Sequence, residues 1–257
     1  MGKLIVLSPA EIAGITASRG AATVSNLLKA DPREVWRDTQ AGSVVTLSID
    51  LGTVQAINTV FLGHAAPLPD NTLWTITGGA TGYTQTTLLA QRPMRVADPS
   101  SSRPDRSHGL WYGTAKQVRY LRIEILQPAG QSPIAVGSFL AGKAFQAQFN
   151  NEWGAGRGVI DTGRATRLQS GGFATIEGVR LGSYSWSFGD LDSEEVDELY
   201  DIQLQCGTTK PVLVVEDPTQ STGQFHRIHY SKFVSLKPYK RRSPAQTRWE
   251  MEVEQWG

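Results

Sequence analysis

The stretch VWRDTQAGSVVTLSIDLGTVQAINTVFLGH, residues 35–64, decides the fold class because its polarity alternates with a period of two. Apolar side chains occupy every second position from Val45 to Leu51, and polar side chains fill the positions between them. Since successive side chains of a β-strand point to opposite faces, this pattern predicts a half-buried strand and not a helix. After Gly52 a second apolar run, 56–62, predicts a neighbouring strand that is covered on both faces.

The same alternation recurs along the chain, so a mainly β fold is predicted for both halves. In VRYLRIEIL, residues 118–126, the side chains Leu121, Ile123 and Ile125 are expected to face a core. In the second half SYSWSF, residues 183–188, predicts another strand of this kind. The segments PVLVVEDP and RWEMEVEQW predict two more strands of the second half.

One helix is predicted in the second half, within DLDSEEVDELYDIQLQCG, residues 190–207. Asp192 followed three residues later by Glu195 has the spacing of a capping box, and Gly207 supplies a C-terminal stop. The expected apolar stripe consists of Val196, Leu199 and Tyr200. The second domain is therefore predicted to be a β-sandwich that carries one α-helix.

Length and composition limit the function classes. The chain has 257 residues, more than most single domains, so two domains are expected, with one large β domain as the alternative. Its 25 basic and 24 acidic residues give no global electrostatic signature of a nucleic-acid or membrane binder. The lone cysteine, Cys206, excludes an intrachain disulfide and a Cys-based zinc site, which fits a reducing compartment. The apolar run 4–7 is too short for a signal-peptide core or a membrane span, so neither export by that route nor membrane insertion is expected.

No catalytic motif withstands inspection of its context. GSFLAGKA, residues 137–144, has the spacing of a phosphate-binding P-loop, but Ala144 replaces the hydroxyl that would hold magnesium, and its surroundings predict a strand. His226 and His229 are predicted to lie on opposite sides of a strand and to be solvated, so they cannot jointly bind a metal. We therefore expect a protein that is not an enzyme and that needs no metal or cofactor.

Ordered pieces of the first half resemble the discoidin domain, also called the galactose-binding-like or coagulation-factor 5/8 type C jelly roll. These pieces are SNLLKADPREVW, the strand that ends in IDLG, INTVFLG, LWTITGG and VRYLRIEIL. The resemblance implies a jelly-roll β-sandwich over residues 1–145, with ligands bound by loops at one end of the barrel. It also implies that Trp36 packs in the core.

The same resemblance suggests where a ligand would bind. The candidate residues for a glycan-binding rim are Arg37, His64, Arg103, His108 and Trp111. Residues 97–109 are rich in proline, serine and charge, which predicts a long exposed loop. Within the rim, Trp111 is expected to stack on a sugar face. Relatives of the jelly roll often hold a structural calcium ion, for which Asp31 or Asp38 lies in a suitable region.

The second half resembles distal-tail and minor-tail proteins of long-tailed bacteriophages, which form rings between the tail tube and the tail tip. The resemblance covers residues 146–257 and is carried by GFATIEGVRLGSYSWSFGDLDSEEVDELYDIQLQCGTTKPVLVVEDP. It implies a homo-oligomeric ring, expected to be hexameric, that is assembled in the host cytoplasm and located in the virion tail. The implied partners are other tail tube and tail tip proteins, with a host surface glycan as a further one and no recognition of nucleic-acid sequence.

Two clusters of opposite charge in this half suggest how subunits would meet. The acidic cluster, on the predicted helix, is Glu194, Glu195 and Glu198, and the basic cluster, in a predicted loop, is Lys240, Arg241 and Arg242. Complementary charge at a head-to-tail contact favours correct register. We therefore expect a virion structural protein whose jelly roll serves docking or adhesion. The alternative is a carbohydrate-binding protein or accessory binding module.

Overall fold

The computed structural model describes residues 2–96, 107–219 and 224–256. The chain divides into two compact units. Unit 1 comprises Met1–Gln146 together with Pro211–Tyr230, and unit 2 comprises Ala147–Lys210 and Ser231–Gly257. A single domain boundary after residue 145 is predicted from the sequence, whereas in the structure a segment of the second half, Pro211–Tyr230, belongs to unit 1.

Unit 1 consists of strands and two short 3₁₀ helices, η1 (Ala21–Leu28) and η2 (Gln224–Arg227). Its strands are β1 (Ile5–Leu7), β2 (Gly14–Ala17), β3 (Trp36–Arg37), β4 (Val44–Ala65), β5 (Leu73–Gly79), β6 (Thr86–Pro93), β7 (Ser107–Leu126), β8 (Ala135–Val136), β9 (Ser138–Gly142), β10 (Phe145–Gln146) and β15 (Val212–Val215). Strand β16 (Ile228–Phe233) begins in unit 1 and ends in unit 2. The stretch with P-loop spacing is strand β9, as its context predicts.

The main sheet of unit 1 is antiparallel and has the strand order β2, β4, β7, β5, β6, with β9 also paired to β4. A second set of strands places β1 between β10 and β15. The inner face of the main sheet is fully buried at Leu121, Ile123 and Ile125, as the alternation predicts. Trp36 is also fully buried, in agreement with its expected packing role. The prediction of a mainly β fold is confirmed.

Strand β4 differs from its prediction, because residues 44–65 form one long bent strand and not two. The bend lies between Asp50 and Gln55, where the register with β7 shifts. Gly52 has a φ of 76°, a left-handed conformation that glycine adopts without a steric penalty. Its N–H donates a hydrogen bond of 2.8 Å to the Asp50 carboxylate, which holds the bend. The turn signal in the sequence therefore marks a bulge within one strand.

Unit 2 contains α1 (Ser193–Cys206), β11 (Gly156–Asp161), β12 (Arg164–Arg167), β13 (Phe173–Ile176), β14 (Arg180–Leu191), β17 (Lys240–Ser243) and β18 (Gln246–Gln255). Strand β18 pairs with β14, β16 and β17, and β11 pairs with the other edge of β14. The buried side chains of these strands, among them Trp186, Phe188 and Trp249, come from the alternating stretches that predict strands. Strands β12 and β13 form a separate two-stranded hairpin.

Helix α1 begins as the sequence predicts. Asp192 accepts a hydrogen bond from the Glu195 N–H, and the Glu195 side chain accepts one from the Asp192 N–H, which completes the capping box. The predicted apolar stripe is partly wrong, because Tyr200 is 50% exposed. The buried residues of the helix are Leu199, Ile202, Gln203 and Cys206.

Candidate functional site

Two residues of the predicted glycan rim, His108 and Trp111, are buried in unit 1. Trp111 is 5% exposed and belongs to the hydrophobic core, so its ring is not available to a sugar, and the expected stacking role is wrong. His108 is 7% exposed, whereas Arg37 on β3 is exposed. Arg103 lies outside the described residues, as does most of the predicted loop 97–109, whose last residues begin strand β7.

Two of the rim residues, His64 and His108, do come together. Their ring centroids are 5.3 Å apart, and the His64 backbone N–H donates to Nδ1 of His108 over 3.2 Å. His108 also stacks on Phe225 with a centroid distance of 5.0 Å. The φ of His64 is 54°, in the left-handed region that residues other than glycine seldom adopt. In this arrangement His108 is buried and His64 is partly exposed, and their role in ligand binding stays a prediction.

His229 completes this histidine cluster. It is 3% exposed, and its Nε2 lies 3.0 Å from Oε1 of Glu216. Burial, with His64 and His229 nearby, lowers the pKa of His108 well below its ordinary value of 6.5. The prediction of a solvated His229 is therefore wrong, and His226 lies in η2 and not in a strand. Burial therefore favours the neutral imidazole at His108.

A surface site of unit 1 offers what the predicted rim lacks, partly exposed aromatic rings beside charged hydrogen-bonding groups. Tyr83 lies in the turn between β5 and β6, and Tyr120 lies on β7. Their ring centroids are 5.1 Å apart and their planes are inclined at 60°. The guanidinium of Arg119 lies 4.8 Å from the Tyr120 ring centroid, and Arg119 is paired with Asp50. We call these four residues the tyrosine site.

The ion pair of the tyrosine site has two hydrogen bonds. Nε of Arg119 donates to Oδ1 of Asp50 over 2.9 Å, and its second nitrogen donates to Oδ2 over 3.1 Å. The Arg119 hydrogen bond and the Gly52 N–H lower the pKa of Asp50, and the pKa of Arg119 is raised. Partial burial and then Asp50 raise the pKa of Tyr83, so its hydroxyl stays protonated. At neutral pH the site holds a fixed charge pair beside the neutral phenol of Tyr83.

Strand register explains why these residues meet. Tyr120 lies opposite Asp50 across the β4–β7 ladder and opposite Gly79 across the β5–β7 ladder. Gly79 leaves space for Gln85, since a Cβ at Gly79 would lie 2.1 Å from Oε1 of Gln85. The Gln85 amide bonds both the N–H and the hydroxyl of Thr81, which fixes the turn that carries the other tyrosine. The site is therefore held in place before any ligand binds.

The sheet face beyond the tyrosine site is polar and internally neutral. Arg122 lies opposite Ser48 in the β4–β7 ladder, and Glu124 lies opposite Thr46. The Arg122 guanidinium pairs with the Glu124 carboxylate over 3.0 Å. Each arginine of this face is thus matched by a carboxylate, so an uncharged ligand suits it better than a charged one.

Sequence reasoning identifies Tyr120 as an outward-facing residue but does not connect it with the rest of the site. Asp50 and Arg119 are 69 positions apart in the chain, and only the register of β4 and β7 brings them together. The available signal is the adjacency of an arginine and a tyrosine on a strand whose alternate residues are fully apolar. A turn containing Gly82 and Tyr83 is a second, weaker signal.

The two aspartates suggested for calcium do not fit that ion. Asp38 is buried, and both of its carboxylate oxygens accept hydrogen bonds of 2.7 Å from Arg19. Asp31 is paired with Arg33, which lowers the pKa of the Asp31 carboxyl. No group of three or more His, Cys, Asp or Glu side chains among the described residues is arranged to hold a metal ion.

The basic residues expected at a subunit contact are part of a strand. Lys240, Arg241 and Arg242 belong to β17, which pairs with β18, so the predicted loop is wrong. Arg242 also pairs with Glu152 over 3.3 Å. The contact between subunits itself stays a prediction.

The acidic residues expected at that contact lie in the first turns of α1. Glu194 is exposed, whereas Glu195 and Glu198 are partly buried. The Glu195 carboxylate is engaged twice, by the Asp192 N–H of the capping box and by the Gln148 N–H. Reversing the charge at Glu195 would therefore disturb the helix start as well as any contact.

Two remaining observations concern the cysteine Cys206 and helices that could span a membrane. Cys206 is a buried thiol that is in no disulfide, and burial raises its pKa to about 11, so it is not a reactive thiolate. Within the described part of the chain, no helix has the length and apolar character needed to cross a bilayer.

Comparison with known proteins gives structural similarity only. No family model matches the chain, and no curated protein matches it. Among solved structures, chitosan-binding module 1 of a chitosanase/glucanase from Paenibacillus sp. IK-5 is 17% identical, with a TM-score of 0.40, over 53% of this chain and 100% of the module. The CBM32 module of AlyQ in complex with 4,5-unsaturated mannuronic acid is 18% identical, with a TM-score of 0.40, over 52% of this chain and 98% of the module.

A third similar structure shows how little the fold says about the ligand. Reduced XRCC1 bound to the DNA polymerase beta catalytic domain is 19% identical, with a TM-score of 0.40, over 53% of this chain and 99% of that one. Carbohydrate-binding modules and a DNA-polymerase partner thus score alike. At these values the similarity carries no argument about what this chain binds.

Proposed function

We propose that unit 1 is a non-catalytic module that binds a glycan at the tyrosine site. The observation that carries this proposal is the pair of partly exposed rings, Tyr83 and Tyr120, at 5.1 Å beside the Asp50–Arg119 ion pair. Aromatic rings provide an apolar surface for the C–H face of a sugar, and nearby polar groups fix its orientation.

The ion pair is suited to sugar hydroxyl groups. The Asp50 and Arg119 side chains are 29% and 37% exposed, so both remain accessible while they hold each other in place. A carboxylate accepts and a guanidinium donates, and a hydroxyl group can do both. Because the charges are already matched, a neutral glycan can bind without leaving a charged group unpaired.

Substitution of one ring tests the proposal. We expect Tyr120→Ala to weaken binding to the strongest ligand of a glycan array by about tenfold or more, measured by isothermal titration calorimetry on the full chain. Tyr120→Phe, which keeps the ring, should retain most of the affinity.

Tyr200→Ala is the matched control, because this tyrosine is 50% exposed on the helix of unit 2. The full chain should bind at least one glycan of the array, and Tyr200→Ala should bind it like the unchanged protein. An array without any bound glycan would overturn the proposal, as would equal losses in Tyr120→Ala and Tyr200→Ala.

A second candidate function, a virion structural role for unit 2, is favoured by the hairpin of β12 and β13. Every residue from 161 to 180 is exposed, including Phe173 at 58% and Ile176 at 71%. Large apolar side chains that project from an isolated hairpin are typical of a surface that a partner covers. The occupant that we propose is a second copy of this chain, as in the predicted ring of a tail protein, in the virion tail.

A further inference from the structure

Unit 2 has a small open cleft with a volume of about 110 Å³. Its lining residues are Lys237, Pro238, Lys240, Arg248 and Glu250. We call it the basic cleft. It is distinct from the tyrosine site, which belongs to unit 1.

The wall of the basic cleft is held by aromatic packing. The Trp249 indole N–H donates to the carbonyl oxygen of Lys237 over 3.2 Å. The ring of Tyr239 stacks on Trp249 with a centroid distance of 5.5 Å and an interplanar angle of 24°. Trp249 itself is 1% exposed. The segment that carries Lys237 and Pro238 is therefore fixed to the core of unit 2.

Two cations face each other across this cleft. Lys240 of β17 and Arg248 of β18 are direct partners in the antiparallel ladder, so their side chains project from the same face. Like charges in this position repel and destabilise a strand pair. An anion bound between them would turn this repulsion into attraction.

Of the three cations that line the cleft, two are paired with carboxylates and one is not. Lys237 pairs with Glu252 at 3.0 Å and lies 3.8 Å from Glu250. Arg248 pairs with Glu250 at 3.4 Å and lies 3.7 Å from Glu152. The ammonium of Lys240, by contrast, forms no ion pair within 4.0 Å with any carboxylate of the described residues.

Arg248 also has an unused donor. Its Nε is buried and has no hydrogen-bond acceptor among the described residues. A buried donor without a partner destabilises the fold, and a small turn of the guanidinium toward a bound acceptor would remove that cost. Lys240 thus lacks a carboxylate partner, and the Nε of Arg248 lacks an acceptor.

We propose that the basic cleft binds a small organic monocarboxylate. One negative charge matches Lys240, the cation of the lining without a carboxylate partner, and Glu250 and its neighbouring carboxylates repel a dianion such as phosphate more strongly than a monoanion. The Arg248 guanidinium and the Lys240 ammonium donate to the two carboxylate oxygens. Pro238 supplies an apolar wall for the organic part of the ligand.

The test uses the full chain and defined probes. Acetate and glucuronate are titrated into ¹⁵N-labelled protein, with glucose as the neutral counterpart of glucuronate and inorganic phosphate as the dianion. We expect saturable shifts of the β17 and β18 amide signals with both carboxylates, and none with glucose. Glucuronate binding more tightly than acetate identifies a sugar acid as the better source of the carboxylate, and the reverse order identifies a simple organic acid.

Three variants distinguish binding at a specific site from nonspecific attraction by positive charge. Lys240→Gln should weaken carboxylate binding by about tenfold, and Lys240→Arg should restore it, because a charge-assisted hydrogen bond is lost and regained. Arg241→Gln is the matched control, since Arg241 is the adjacent exposed cation of β17 and does not line the cleft. Far-UV circular dichroism checks that each variant is folded.

Several outcomes would overturn the proposal: no saturable shift with either carboxylate, equal losses in Lys240→Gln and Arg241→Gln, or phosphate binding as tightly as acetate. Tyr120→Ala should leave these shifts unchanged. A failure of the glycan proposal and a failure of this one are therefore distinguishable.

Discussion

At the residue scale, His108 is placed to make stability depend on pH. It is buried between Phe61 and Phe225, with ring centroids at 5.2 Å and 5.0 Å, and it accepts a hydrogen bond from the His64 N–H. Its pKa lies well below 6.5 in the folded chain because burial disfavours the charged ring. The unfolded chain regains an ordinary pKa of about 6.5, so below that pH the unfolded state binds the extra proton.

The first prediction follows from this extra proton uptake by the unfolded state. The free energy of unfolding should fall as pH decreases from about 7 toward 5, by at most about 1.4 kcal/mol per pH unit for this histidine. Urea unfolding at several pH values measures the slope. His108→Gln should flatten it, and the exposed His226→Gln should not. An unchanged slope in His108→Gln would assign the pH dependence to other groups.

At the element scale, strands were the easiest part to predict. The alternation in β7, β14 and β18 depends only on which face of the strand packs on a core. It can therefore be recognised within a few consecutive residues of the sequence. The bend of β4 was not predicted, because a glycine in a left-handed conformation can end a strand or bulge within one. The tyrosine site was also missed, since Asp50 and Tyr120 meet only through the register of two strands.

The second prediction concerns the exposed hairpin of β12 and β13, which we call the arm. Arg164 and Arg167 lie on the arm with Phe173 and Ile176, and all four are exposed. Helix α1 offers a complementary surface to a second copy, because it exposes two carboxylates and two large side chains. The carboxylates are those of Asp197 and Asp201, and the large side chains are Tyr200 and Leu204. Apolar burial would supply most of the affinity, and the charges would set the pairing geometry.

Removing the apolar residues of the arm should therefore prevent assembly. We expect Phe173→Ser combined with Ile176→Ser to shift an oligomer to monomer, measured by light scattering coupled to size-exclusion chromatography. The monomer should stay folded, because neither side chain contributes to the buried core. Val54→Ser is the control, since Val54 is 50% exposed in unit 1. A monomeric unchanged protein, or an oligomer that survives the double substitution, would contradict the role of the arm.

At the scale of the whole molecule, the return of Pro211–Tyr230 to unit 1 could not be predicted from local patterns. The buried strand PVLVVEDP was correctly predicted as a strand, but its partner is β1, more than two hundred positions away. Pairing at such separation leaves no local periodic signal in either segment. Two further hydrogen bonds join this segment to the N-terminal part of unit 1. The Gly2 N–H donates to Asp217 over 2.7 Å, and the Tyr230 hydroxyl donates to the Ala30 carbonyl over 2.7 Å.

The last prediction is that residues 1–146 do not fold by themselves. Without β15, strand β1 keeps β10 but loses the neighbouring strand that pairs with Ile5, Val6 and Leu7, three residues that are fully buried. The four side chains of Val212–Val215 are also fully buried, and each contributes about 1.5–3 kcal/mol, so together they approach the whole stability of a domain. Fragment 1–146 should therefore aggregate or unfold without cooperativity in urea. The same fragment joined through a flexible Gly/Ser linker to 211–230 should be monomeric and unfold in one transition. Cooperative unfolding of both fragments at the same urea concentration would show that the returning segment is dispensable.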